Sequence, residues 1–442
     1  MSGGIRIAVR HSANRWANQS CSLPRLPHRL ISTTTIIRSK EGKSSANYKE
    51  WASKEAIEAL EGFKARYADL KTSDGLKPAS TFYQQIDANQ IHLLRITQAN
   101  MVPLNILRTH LGSHGEKGSD YETKLREYEE DILTGEGALA NGILANGIPT
   151  GSLVIPTEHL AFFTPRVSST SLGLDGSDTP FNPPGGIFTR RMWAGGRMEW
   201  TKEANDPAKR MKVGDQIWEK TFVEEAELKK LGDGGEMILV WARKEFGQKD
   251  DLETPVLIDK RSWIYRRALD PSKVKQSETP SINLSKPDLS SLTPPEGLQN
   301  PTLLFQTPAN LFRYSALTFN AHAIHLSPPW AQNVEGHQGI VVHGPLNLSL
   351  LIRKWGREIA GWRLSNHGEF KDVHPTQDRR VLKSVDYRAK KPVYAEQPYW
   401  IGILEDKNNQ GDHQHTVVAM QPDGKVLMEA TITSEVEIGS KA

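Results

Sequence analysis

The spacing of apolar positions divides the chain into a helical beginning and two strand-rich stretches. Across residues 47–70, YKEWASKEAIEALEGFKARYADL places Leu60, Phe63 and Tyr67 on one face among charges, the period of an amphipathic surface helix. A second helix is expected over 121–133, where Tyr121, Leu125, Tyr128 and Ile132 form an apolar stripe between a cap at Ser119 or Asp120 and Gly135 beyond the end. Residues 86–118 show no clear period, and the doublet ALANG/ILANG after residue 137 is a local duplication in a Gly/Asn-rich loop. From residue 150 the period shortens to two. SLVIP, GRMEW, DQIWEKTFVEE, EMILVWARKEF and VLIDKRSWIYRR are short, β-branched and aromatic, and separated by turn formers, so they read as strands.

Residues 270–297, DPSKVKQSETPSINLSKPDLSSLTPPEG, carry many prolines and serines and no aromatic side chain, the composition of a linker. A second folded segment follows, closed by the hairpin HTVVAMQPDGKVLMEATIT with its turn at Pro422, Asp423 and Gly424. Its pattern echoes the first half. RMEW, VGDQIW, EMILVWA and VLIDKRSWIY are matched in order by VDYRAKKPVYAEQPYWI, TVVAM and VLMEATIT, roughly 170–190 residues later, as two copies of one antiparallel unit would be.

Composition narrows the classes. The chain has 442 residues, 37% hydrophobic and 24% charged, enough for two cores. Apolar runs such as GIVVHGPLNLSLLI are interrupted well before the roughly 18–20 residues of a membrane span. A net charge of +3, with no Lys/Arg stripe carrying interleaved aromatics, gives no case for nucleic acid. The first 40 residues differ: they hold Arg6, Arg10, Arg15, Arg25, Arg29 and Arg38, many Ser and Thr, and no Asp or Glu, as a mitochondrial transit peptide does, the alternative being a disordered basic tail. Arg29, Ile31 and Thr34 fit a matrix-processing pattern, which sets the presequence at 1–38 and removes Cys21, the one cysteine, from the mature chain. Disulfides, thiolate nucleophiles and cysteine-held metals are then excluded.

Chemistry concentrates in LTFNAHAIH, residues 317–325, where Asn320, His322 and His325 stand close together. Phe312 and Tyr314 upstream read as an alternating run, and Pro328 and Pro329 break any helix, so the motif sits at a turn facing a cleft. EGHQGIVVHGPLNLSLLIRKW then offers a buried strand at 340–342 and a helix over 346–355. Gly344 and Pro345 make a clean helix start, whose unpaired N–H groups can hold a carbonyl oxygen that is becoming negative. As an HxxH pair, His322 and His325 could instead ligate a metal, but no Asp, Glu or Cys stands close in sequence to complete a site.

FRYSALTFNAHAIH, EGHQGIVVHGPL and DYRAKKPVYAEQP resemble the hydratase/dehydratase branch of the hot-dog fold, and most closely the fungal mitochondrial 3-hydroxyacyl-thioester dehydratases of type 2; RRMWAGGRMEW and MKVGDQIW resemble their N-terminal hot dog. The resemblance runs from about residue 90 to 437. It implies an α+β double hot-dog: an N-terminal helical extension at 39–85, hot-dog domains at 86–268 and 302–442, and a linker at 269–301. In the wider family the motif carries Asp, then Asn, then His; here those positions are Asn320, His322 and His325, so the aspartate is replaced, a trait of the subfamily. The resemblance implies His325 as acid/base, His322 and Asn320 positioning hydroxyl or water, Gly344 N–H on the thioester carbonyl, and His343 orienting the turn. Trp193, Gly195, Gly196 and Arg197 could line an acyl tunnel, or serve the structure, as glycines and a tryptophan at a strand start do. Arg190, Arg191, Arg266 and Arg267 read as a solvated basic edge or as carrier contacts.

The implied activity is dehydration of (3R)-hydroxyacyl groups on acyl carrier protein in the mitochondrial matrix, without metal or redox cofactor, in a monomeric double hot-dog or a homodimer. Two other readings remain: a hydratase of free CoA esters, and a non-catalytic acyl-thioester binder.

Overall fold

The structure is a computed structural model and describes residues 48–73, 75–99, 147–270, 272, 293–364, 370–372, 379–404 and 413–437. The expected presequence, the helix expected over 121–133, the doublet after residue 137 and most of the Pro/Ser-rich stretch lie outside the described residues.

Helix α1 (Lys54–Arg66) starts at Ser53, whose hydroxyl accepts the Ala56 N–H. Its apolar face, Ala56, Ala59, Leu60 and Phe63, is buried against Val223, Ala226, Leu228, Ile238, Val240 and Tyr265. The expected surface helix is therefore present and clamped to a sheet.

That sheet has ten strands: β1 (Ser80–Gln85), β2 (Arg190–Trp200), β3 (Gln216–Lys230), β4 (Glu236–Gln248), β5 (Leu257–Arg266), β6 (Leu298–Phe305), β7 (Arg379–Ala389), β8 (Pro398–Leu404), β9 (Gln414–Met420) and β10 (Val426–Glu437). Their spatial order is β1-β3-β4-β5-β2-β7-β10-β9-β8-β6, and every pairing is antiparallel. Numbered within each unit, the order reads 1-3-4-5-2 and then 2-5-4-3-1. The two five-stranded units are thus mirror images in connectivity about the β2–β7 seam, and the repeat heard in the sequence is the repeat of the fold. This is the expected double hot-dog.

The seam pairs Ser384 with Glu199, Asp386 with Arg197, Tyr387 with Gly196 and Arg388 with Gly195. Both glycines are there for close approach. A Cβ on Gly196 would lie 1.9 Å from the Lys260 carbonyl oxygen, and one on Gly195, at φ 159°, 2.5 Å from that of Tyr387.

Helix α2 (Ala88–Ala99) begins at Asp87, whose carboxylate accepts the Gln90 N–H, and sends Ile91 and Leu94 into the main core with Ile217 and Phe246. Helix α3 (Pro308–Leu317) contains Phe312 and Tyr314, which sequence alone reads as an alternating run; Thr307 caps it by accepting the Asn310 N–H, and Pro308 occupies the first turn. Pro328 and Pro329 likewise start a helix, α4 (Pro328–Asn333), instead of ending one, with Ser327 accepting the Trp330 N–H. Helix α5 (Gly344–Glu358) extends beyond the expected 346–355 and packs on β8, β9 and β10. Leu346, Leu348, Leu351, Ile352 and Trp355 are buried along it, each contributing about 1.5–3 kcal/mol.

Three expected strands or borders differ. SLVIP and residues 340–342 form only isolated bridges, Leu153 with Lys212 and Val341 with Tyr394, because turns on either side leave too little extended chain for a ladder. Strand β6 begins at Leu298, inside the span expected to be linker, since Leu298 and Leu303 pack under Trp400 and Val418.

Candidate active site

Helix α3 ends at Thr318, whose hydroxyl bonds back to the Tyr314 carbonyl, and Phe319 at φ 50° turns the chain sharply. Asn320 fixes the next turn: its Oδ1 accepts the His322 N–H at 3.1 Å. The carboxamide therefore serves the backbone of the motif. One 3₁₀ turn over Ala323–His325 then places both histidine rings inward, with His322 4% and His325 7% exposed.

His325 Nδ1 lies 2.6 Å from the Val341 carbonyl oxygen, which can only accept, so Nδ1 carries the proton and Nε2 the lone pair. Among the described residues Nε2 has no protein partner. The His343 ring stacks on His325, centroids 3.7 Å apart, and His343 Nε2 pairs with Ser315 Oγ at 2.8 Å. Gly344 follows at the start of α5. A Cβ there would come within 2.3 Å of the Trp193 ring, so only glycine lets that ring lie against the helix start. Trp193 in turn stacks on Tyr387 across the seam, centroids 4.7 Å apart.

His322 Nε2 sits 3.2 Å from Asp175 Oδ2 and 3.9 Å from Glu335 Oε1, all three side chains buried. Asp175 belongs to the first unit. Its carbonyl accepts the Ala323 N–H at 2.7 Å, and its carboxylate accepts the Ser177 N–H and hydroxyl. Gly176, at φ 75°, allows the approach, since a Cβ would come within 2.3 Å of the Ala321 carbonyl oxygen.

These surroundings drive the two rings apart. Burial lowers the His325 pKa well below 6.5, helped by neighbouring His343 and His322. Burial also opposes charge on His322, but the Asp175 and Glu335 carboxylates outweigh it and raise its pKa above 6.5. Burial would raise the Asp175 carboxyl, yet His322 and the Ser177 donors bring it down to about 2. His343, buried beside His322, falls to about 3. Two imidazoles with oppositely shifted proton affinities thus stand edge to face, 5.5 Å apart.

The donor atoms of Asp175, His322 and Glu335 all lie within 4.8 Å of one another, close enough to admit a cation. Charge decides the reading. Arg190 faces Glu335 at 3.5 Å and Arg191 faces Asp178 at 2.9 Å. With His322 as imidazolium, three cations meet three anions and the cluster balances; a dication beside neutral His322 would leave one positive charge unmatched. The cluster is read as ion pairs.

The rings open on a cavity of about 1090 Å³, lined by Asn320, His322, His325, His343, Gly344 and Trp193 among many apolar side chains. The structure therefore gathers these six of the sequence-derived residues. It does not gather Gly195, Gly196 and Arg197, the other candidates for the tunnel lining: the glycines serve the seam, and Arg197 is 43% exposed and pairs with Asp386 and Glu199. Nor are the four arginines a free basic edge. Arg190 and Arg191 are half-buried in the ion-pair cluster, Arg266 faces Asp233 and Arg267 binds Glu236, while Arg190, Arg191 and Arg266 also line the cavity. Sequence reasoning missed Asp175 and Glu335. Asp175-Gly176 reads as an ordinary turn dipeptide, and nothing in it announces a partner 147 residues away.

A family model described as hydroxyacyl-thioester dehydratase type 2 matches residues 157–395. Mesaconyl-C(4)-CoA hydratase of Chloroflexus aurantiacus is 28% identical over 316 residues, 70% of this chain and 95% of that protein. The mitochondrial hydroxyacyl-thioester dehydratase type 2 of Schizosaccharomyces pombe is 24% identical over 262 residues, 57% of this chain and 78% of that one. Among solved structures, a MaoC-like dehydratase from Phytophthora capsici aligns with 84% of this chain and 99% of its own, at 12% identity and a TM-score of 0.43.

Proposed function

The chain belongs to the hydroxyacyl-thioester dehydratase type 2 family and is a hydro-lyase of thioesters; from that premise we propose that it converts (3R)-hydroxyacyl thioesters to trans-2-enoyl thioesters with His325 as the base at Cα. The observation that carries this is the His325 ring, fixed through Nδ1 on the Val341 carbonyl and presenting a free Nε2 at the cavity beside the start of α5. A neutral imidazole at that point can take an α-proton. The Gly344 N–H, unpaired within its helix and at the positive end of the dipole, can hold the thioester oxygen as it becomes enolate-like. His322 and the Asn320-fixed turn face the same cavity, where the hydroxyl must leave as water. This chemistry is proton transfer alone and calls for no metal or redox cofactor.

The acyl group arrives on a phosphopantetheine arm. Lys390, Lys391 and Lys425 line the cavity beside its apolar side chains, and exposed Lys391 suits a phosphate. We read the carrier as acyl carrier protein and the compartment as the mitochondrial matrix, in keeping with the acid-free first 40 residues and with the mitochondrial relative. A free CoA ester is the second reading, favoured by the match to 95% of a CoA-ester hydratase. Matched kcat/KM on acyl-carrier and acyl-CoA substrates separates the two.

The test of the activity is hydration of crotonyl-CoA, or of crotonyl-carrier protein, by the chain without residues 1–38. His325→Ala should lower turnover by about 100-fold or more, the scale of a lost acid–base group. Unchanged turnover moves the base elsewhere, and tight acyl-thioester binding without turnover in the unsubstituted protein makes it a binding protein.

A further inference from the structure

A carboxylate is absent from the histidine motif, yet a carboxylate reaches it from the other unit. We propose that Asp175 is a positioning residue of the reaction centre: with Glu335 it holds His322 as the proton donor to the leaving hydroxyl, the role for which Asn320 has no carboxylate. This rests on the dehydratase reading and assigns the second half of its proton traffic.

Three observations support it. The loop holding Asp175 is built onto the motif, through the Ala323 N–H to the Asp175 carbonyl at 2.7 Å and the side-chain-free contact of Gly176 with Ala321. The Asp175 carboxylate is held by both donors of Ser177, so its Oδ2 is aimed at His322 Nε2 and not free to swing away. The other ring nitrogen of His322, Nδ1, has no protein partner among the described residues, and the ring lines the cavity. The two carboxylates thus stand within ion-pair distance of Nε2, without an aligned hydrogen bond to it, while Nδ1–H is left to the substrate.

The groups around His322 come from five places: Asp175 and Asp178 from the loop, Arg190 and Arg191 from β2, Glu335 and His337 after α4, His325 from the motif and His343 from the start of α5. The arginines are matched by Asp178 and Glu335, and His337 is pushed down to about 4 by burial. Among the described residues, His322 is the cation in ion-pair contact with Asp175.

In dehydration the α-proton passes to His325 Nε2. The C3–O bond breaks as His322 gives its Nδ1 proton to the oxygen, and the C2–C3 double bond takes the electron pair left at Cα. Water and the enoyl thioester leave His325 charged and His322 neutral. One proton then crosses between the rings or exchanges with solvent to restore the start. Hydration runs the same steps backwards, and in both directions the pair of imidazoles holds one proton. The rate must fall as pH drops and the pair gains a second proton, and fall as pH rises and the pair loses its one.

Asp175→Asn keeps the shape and removes the charge. It should lower kcat by about tenfold or more and draw the high-pH limb downward by about 1 unit or more, leaving the low-pH limb in place. Asp175→Glu should recover part of the high-pH limb. An Asp175→Asn protein with a native near-UV spectrum and an unchanged pH profile overturns the proposal, while His325-dependent turnover in the parent would still uphold the dehydratase reading. If the substitution prevents folding, ¹⁵N-histidine NMR of the unsubstituted protein decides: His322 should be an imidazolium at neutral pH and His325 neutral, and a neutral His322 overturns the assignment. Exhaustive chelation should leave turnover intact; loss restored by an added divalent cation would show the three donors to be a metal site and overturn it.

Discussion

Each unit buries a histidine 3.2 Å from an aspartate, and the two pairs behave oppositely. In the first, His159 Nε2 faces Asp259 Oδ2; in the second, His322 Nε2 faces Asp175 Oδ2. Asp259 already carries a guanidinium, Arg261, at 2.6 and 2.7 Å. Burial together with Arg261 and Lys244 then outweighs Asp259, and the His159 pKa is lowered. Asp175 has no guanidinium so close, and the His322 pKa is raised. The lesson is that a His–Asp contact does not define an acid. The charge left over on the aspartate does, and only the unit where charge is left over opens its histidine to the cavity.

The largest expected break of this contrast is in rate. His325→Ala, beside the His322–Asp175 pair, removes the base and about 100-fold or more of kcat; His159→Ala, in the first pair, should leave kcat within about threefold and cost about 1–3 kcal/mol of stability, read by denaturant unfolding. A large loss of kcat in folded His159→Ala would place chemistry in the first unit as well. Next comes Arg261→Met. Removing the guanidinium strands Asp259, so the variant should lose about 3–5 kcal/mol, and the His159 ring should titrate at higher pH by NMR. A His159 resonance that stays put would show that burial alone sets it neutral. Comparable in size is Gly196→Val at the seam, where a side chain would meet the Lys260 carbonyl at 1.9 Å. It should cost about 3 kcal/mol or more and weaken both units together, since β2 and β7 join them.

Much of this was legible in the sequence, unevenly. Strand-rich units repeat audibly because alternating residues must face a core and water in turn, and the hairpin at Pro422, Asp423 and Gly424 announced itself through its turn chemistry. His322, His325 and Gly344 were found because motif and helix start are local in the chain. Asp175 and Glu335 were not, because partnership across units is set by tertiary approach through Gly176, which a local pattern does not carry. Gly195 and Gly196 stood open between tunnel lining and a structural role, since strand glycines also mark close backbone approach, and here the register decides for the seam. Proline misled at Pro328 and Pro329, where the preceding Ser327 turns a helix breaker into a helix start.

The smallest effect tests the seam from its outer face. Arg197 pairs with Asp386 across β2 and β7 and with Glu199 on its own strand, so it looks like the rivet between the units. Its side chain is 43% exposed and its partners more than half exposed, so solvent and salt screen the attraction. What joins the units instead is the β2–β7 ladder, the buried stack of Trp193 on Tyr387, and the bare backbone of Gly195 and Gly196 beneath it. Arg197→Ala should therefore change stability by less than about 0.5 kcal/mol and leave kcat/KM as it was, whereas Trp193→Ala should lower both. A loss of several kcal/mol in Arg197→Ala would make the ion pair, and not the close-packed glycines, the bond between the halves.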